Sequence, residues 1–189
     1  ICYIVSELVR NVLEHSVSRS GAFVAAQYYP NTNTIRIGIS DVGVGITKTI
    51  RHSHHALDDL QAIRLALTPG ITGTTKREGG TEQNAGAGLF FVKSIAATNE
   101  DFFGIYSGNA FYKLLRQDPK KRDLLNADPL NDRHSAANDY PYWQGVAIGI
   151  DMKLDEHEKF TALLKHVRTV YAKAVRERKS VHYKKPKFI

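Results

Sequence analysis

The chain has 189 residues, 42% of them hydrophobic, with a single cysteine and a formal net charge of +7. This fits one domain with an appendage, and no apolar run approaches the ~18 residues of a membrane span. One cysteine, Cys2, excludes an internal disulfide framework, argues against a zinc ribbon, and fits a reducing, cytoplasmic compartment. The charge is uneven: residues 1–152 carry 15 Lys/Arg and 15 Asp/Glu, whereas residues 153–189 carry 11 and 4. A neutral body thus precedes a basic tail, and the charge speaks about the tail's partners. The chain starts at Ile1 inside a helical pattern and is expected to be part of a longer protein, so a missing targeting signal says little.

Residues 1–16 read as an amphipathic helix. Ile4, Val5, Leu8, Val9, Val12 and Leu13 form its apolar stripe, and Glu7, Asn11 and His15 follow one another at four-residue spacing, which stacks them on one face. A carboxylate there can serve as a general base, and an amide oxygen suits Mg²⁺. An ordinary solvated helix face is the bland alternative. Residues 22–29 and 34–40 read as two strands around a Pro30-Asn31-Thr32-Asn33 turn, the second with alternating isoleucines. At its end stands Asp41-Val42-Gly43-Val44-Gly45-Ile46. A carboxylate at a strand end can accept a hydrogen bond from an exocyclic amine such as that of adenine. Glycines beside it let a flat ring approach the backbone. A plain glycine turn is the alternative.

Residues 47–85 are loosely patterned, apart from a short helical period over 56–67, and are read as a lid. His52, His54 and His55 lack the number and spacing of zinc ligands. The stretch from Thr72 to Gly80 is polar and glycine-rich, and its Lys76 and Arg77 suit a phosphate-covering loop or, equally, a solvated surface. Gly86-Ala87-Gly88-Leu89 then opens an apolar helix, a ready anion site that lacks the Lys-Ser/Thr of a P-loop. Residues 102–106 and 110–115 read as strands, 116–142 as a polar insertion carrying three prolines, and 145–152 as a closing strand. Residues 158–179 form a basic amphipathic helix. It suits packing or dimerisation, or binding to nucleic acid or another anionic surface.

Taken in order, a helix with Glu7-x-x-x-Asn11, a strand ending in Asp41-x-Gly43-x-Gly45, a variable lid and Gly86-x-Gly88-Leu89 resemble the GHKL ATPase superfamily, which includes DNA gyrase B, histidine kinases and MutL. The resemblance covers residues 1–152. It implies an α/β (α+β) Bergerat-type two-layer sandwich, with a mixed, mostly antiparallel sheet, helices on one face, a lid at about 47–85 and a basic helix appended. It further implies ATP and Mg²⁺ as ligands. Asn11 would coordinate the Mg²⁺ and Glu7 would be the general base or water-orienting carboxylate. Asp41 would bind the adenine amino group in a pocket shaped by Gly43, Gly45 and Ile46. Gly86, Gly88 and Leu89 would shape the phosphate end, with Lys76 reaching in from the lid and His15 near the phosphates. The Glu7-Asn11-His15 pattern is most similar to anti-sigma-factor serine kinases and sensor histidine kinases of signal transduction, which implies phosphoryl transfer to a protein partner or ATP hydrolysis. The alternatives are a nucleotide sensor that recruits a partner without catalysis, and a nucleic-acid-linked ATPase using residues 158–189. A homodimer is compatible with all three.

Overall fold

The computed structural model describes residues 2–77, 79, 86–116, 125–154 and 157–182. Alternation of side chains decides the sheet. Its strands are β1 (Phe23–Tyr29), β2 (Thr34–Ser40), β3 (Phe103–Gly108), β4 (Ala110–Leu114), β5 (His134–Ala137) and β6 (Trp143–Lys153), arranged in the order β1-β2-β6-β3-β4-β5. Every strand pair among the described residues is antiparallel. The sheet is therefore uniform where a mixed one was expected. The eleven-residue β6 joins the two hairpins at the centre.

Register places Ile37, Ile150 and Phe103 in one row and Ile39, Ile148 and Ile105 in the next. All six are buried, in one cluster with residues of the helices. The opposite face carries Gly38, Gly149 and Gly104 in a row, with the Phe102 ring laid over the last two. Helices α1 (Cys2–Asn11), α2 (Gly45–Arg51), α3 (Asp59–Ala66) and α4 (Gly88–Thr98) supply the second layer. The result is a two-layer α/β sandwich. Each buried Ile or Leu at this interface contributes about 1.5–3 kcal/mol of transfer free energy.

Three local features differ from the sequence expectation. First, the loosely patterned start of the expected lid folds as α2, while the helical period over 56–67 is realised as α3, and Ile46, Ile50, Ala62 and Ile63 of the two are buried. Asp58 caps α3 by accepting from the Gln61 N–H. Residues 78 and 80–85 of the expected lid lie outside the described residues. Second, the 116–142 insertion contributes an edge strand, β5, paired with β4. Residues 117–124 of it are not described. Third, α1 widens after Asn11 into a π-helical turn, Val12–Ser16, that ends at Val17 with φ 54°. Glu7, Asn11 and His15 nonetheless border one common space.

The return of the insertion is pinned to α4. Lys93 is 1% exposed, and its Nζ donates to Asp132 Oδ2 at 2.5 Å and to the Asn126 carbonyl at 3.0 Å. Beyond the sandwich, α5 (His157–His182) packs on the outer side of α4 through Val167 and Tyr171, against Phe90 and Phe91.

Candidate functional site

Between α1, the turn after β2 and the start of α4 lies a cleft of about 310 Å³. Its lining combines apolar Leu8, Ile39, Ile46, Ile50, Ile71 and Ile148 with polar Glu7, Asn11, His15, Thr49 and Thr72. Asp41, Gly45, Gly86, Gly88 and Leu89 also line it. The three separated sequence segments therefore meet in one cavity. Gly43 and Lys76 do not line it.

Asp41 is 2% exposed, and its Oδ1 accepts from the Gly43 N–H at 2.8 Å. Burial pushes its carboxyl above the usual range, while backbone N–H donation from Gly43 pulls the other way. Its main chain is held by β6, the Asp41 N–H donating to the Val146 carbonyl at 2.9 Å. Gly145 must be glycine for this contact, since its φ is 96° and a Cβ would stand 2.1 Å from the Asp41 oxygen.

Gly43 has a different use from the one expected. A Cβ there would meet the Ser16 carbonyl oxygen at 2.0 Å, and that same oxygen accepts from the Val44 N–H at 2.8 Å. The glycine lets the loop after β2 press against the π-helical turn, so backbone rather than a ligand ring occupies the space a side chain would need. Gly45 sits at φ 76°, and Ser107 locks the loop beyond it: its Oγ accepts from the Ile46 N–H at 3.0 Å and donates to the Gly145 carbonyl at 2.7 Å. Nothing in the sequence pattern singles out Ser107. Gly43→Ala is expected to cost about 1–3 kcal/mol, seen as a drop of several degrees in Tm. An unshifted melt would mean this contact is absent.

Beside Glu7 and Asn11, Gly88 keeps a gap open. A Cβ would stand 2.6 Å from Glu7 Oε2 and 3.7 Å from Asn11 Nδ2. The Asn11 amide is buried and finds no hydrogen-bond partner for its Nδ2 among the described residues. An amide buried without a partner is costly unless a ligand completes it. Glu7 is paired to Arg10, Oε2 to Nη2 at 2.5 Å. Burial raises the Glu7 carboxyl, Arg10 lowers it and Glu14 raises it. Arg10 is a partner the three-residue spacing from Glu7 offered but that the Glu7-Asn11-His15 pattern obscured. His15 is half-buried, and burial pushes its imidazole pKa down, against the pull of Glu14.

Helix α4 starts at the cleft with Ala87 as its cap and no side chain closing the first turn. Its leading N–H groups and positive dipole end face this region. Gly86, at φ 64°, lies so close to Ile71 that a Cβ would be 2.3 Å from its carbonyl. Gly70 donates to the Gly86 carbonyl at 2.9 Å and accepts from the Gly79 N–H at 3.0 Å. The Thr72-Gly73 stretch is tied to α2's end. Ser53 Oγ donates to the Gly73 carbonyl at 2.8 Å, and His54 Nε2 lies 3.0 Å from the Thr72 carbonyl.

No group of three or more His, Cys, Asp or Glu that could hold a metal exists among the described residues. An all-protein cage is therefore not built here. The unpartnered Asn11 Nδ2 is a donor and suits a phosphate oxygen beside the helix N-terminus, while the oxygen of the same amide is of the type Mg²⁺ takes along with phosphate and water oxygens. Comparison with known families matches no family model, and comparison with curated proteins finds no match.

Proposed function

We propose that the cleft binds Mg²⁺-ATP, and that the domain transfers the γ-phosphoryl group to a protein or to water, in the manner of the histidine kinase-like ATPases it resembles. The observation that carries this reading is the meeting of Asn11, Asp41 and Gly86-Ala87-Gly88 around one cavity whose lining is part apolar and part polar. In this reading Ile39, Ile46 and Ile148 cover the faces of the adenine ring and Asp41 accepts from its amino group. The amide oxygen of Asn11 holds the cation, and the N–H groups opening α4 receive the phosphates. Mg²⁺ bound there supplies charge neutralisation on the transferring phosphoryl. Glu7 orients the attacking hydroxyl and takes its proton as the new O–P bond forms. The pair of electrons of the broken bond leaves on the ADP β-phosphate.

Glu7→Gln keeps the shape and removes the base. It is expected to leave the ATP dissociation constant within about threefold and to slow turnover about 10²–10⁴-fold, read by ADP release and by transfer of labelled phosphate. Unchanged turnover would remove Glu7 from the chemistry. The Glu7–Arg10 pair favours a second reading. A carboxylate held by a neighbouring guanidinium is less free to reach an attacking group, which suits a module that binds nucleotide, orders its lid and recruits a partner. Tight binding by the wild-type chain with no turnover and no transfer would select this reading.

A further inference from the structure

The apolar side of α5 is already used: Val167, Ala174 and Val175 are buried against the body. Its outward side is of another kind. Lys165, Arg168, Lys173 and Arg176 are all exposed, and between them lie only Thr169 and Ala172. These six side chains line a shallow groove along the helix. At 100° per residue the four cations fall within about 140° of arc, and Lys165 to Arg176 spans about 16 Å of axis. The small floor lets a chain lie close to the helix while cations stand on both banks. Glu177 borders the groove, with Oε1 4.0 Å from Lys173 Nζ, both well exposed.

We infer that this face binds the phosphate backbone of double-stranded nucleic acid. A protein partner would want a buried aromatic or aliphatic anchor, and the face offers none. A bilayer would want an apolar side to insert, and that side of α5 is committed to α4. Cations in rows without apolar neighbours match a regular polyanion, which presents about five phosphates per strand over ~16 Å. Because the body is neutral by sequence, the attraction is local to this helix and its tail. The inference does not depend on the nucleotide reading of the cleft.

The test is fluorescence anisotropy of a labelled 20-base-pair duplex titrated with the whole chain, without nucleotide, at several salt concentrations. Neutralising four phosphates predicts a slope of log K against log salt near about −3.6, hence an affinity about a hundredfold lower at 200 mM than at 50 mM salt. Lys165→Gln, Arg168→Gln, Lys173→Gln and Arg176→Gln together should flatten that slope toward zero and weaken binding at 50 mM at least tenfold. Should the fourfold variant misfold by circular dichroism, Arg176→Gln alone should reduce the slope by about 0.9. No binding of the duplex at 50 mM salt overturns the inference. So does binding that the substitutions leave untouched, which would place it in the tail beyond residue 182. Displacement of the duplex by polyglutamate, or preference for phosphatidylserine vesicles over it, would assign the face to an acidic protein or a membrane instead and equally overturn it.

Discussion

Asn11→Ala is expected to lower Mg²⁺-ATP affinity at least a hundredfold, about 2.7 kcal/mol, while shifting Tm little. The two halves of that expectation have one cause. The Asn11 amide nitrogen is buried without a protein partner, so truncation breaks no bond to that nitrogen, while it deletes the oxygen assigned to the cation and the donor free for a phosphate oxygen. Most buried polar side chains behave in the opposite way, losing stability first. Calorimetric titration with and without Mg²⁺, paired with a thermal melt, separates the two. Undiminished Mg²⁺-dependent binding would take Asn11 out of the site. A large loss of Tm would make it a structural residue.

Asp132→Ala is expected to destabilise the domain by about 3–5 kcal/mol, because it strands Lys93 as an unpaired charge in a core position. Both partners are nearly inaccessible, at 1% for each side chain. Burial lowers the Lys93 ammonium pKa while Asp132 raises it, so without the carboxylate only the burial effect remains. The double change Lys93→Met with Asp132→Leu should recover most of the loss, since a buried ion pair replaced by apolar volume is often neutral. Chemical denaturation measures both. A single variant as stable as wild type would show that the pair is not closed in solution.

These two side chains also mark how far the sequence could be read. The sheet was legible where strands are half-buried. Thr34 to Ser40 alternates, and β2 alternates with it between the core row of Ile37 and Ile39 and the open row of Gly38. The cleft was legible because its parts are residue types with narrow uses: an acid at a strand end, an amide on a helix, glycines before a helix. Three things were not legible, each for a physical reason. Helix α2 has two buried isoleucines and three β-branched or glycine positions in its first turn, so propensity argued against it and packing on α3 and the sheet decided. Strand β5 is four residues of small and polar type at a sheet edge, too short to show a period. The π-helical turn Val12–Ser16 leaves no mark in a stretch whose apolar residues read as one continuous helix through residue 16. The glycine motif illustrates a further limit. Spacing says that no Cβ is tolerated at Gly43 but not whether a ligand or another stretch of backbone fills the space, and here it is Ser16.

The most direct measurement of the central claim is an amide chemical-shift titration of the ¹⁵N-labelled chain with a non-hydrolysable ATP analogue and Mg²⁺. The account predicts that the amides of Glu7 to Asn11, Asp41 to Ile46 and Gly86 to Leu89 move together and saturate with one dissociation constant. Shifts confined to one of these segments, or none at millimolar analogue, would contradict it.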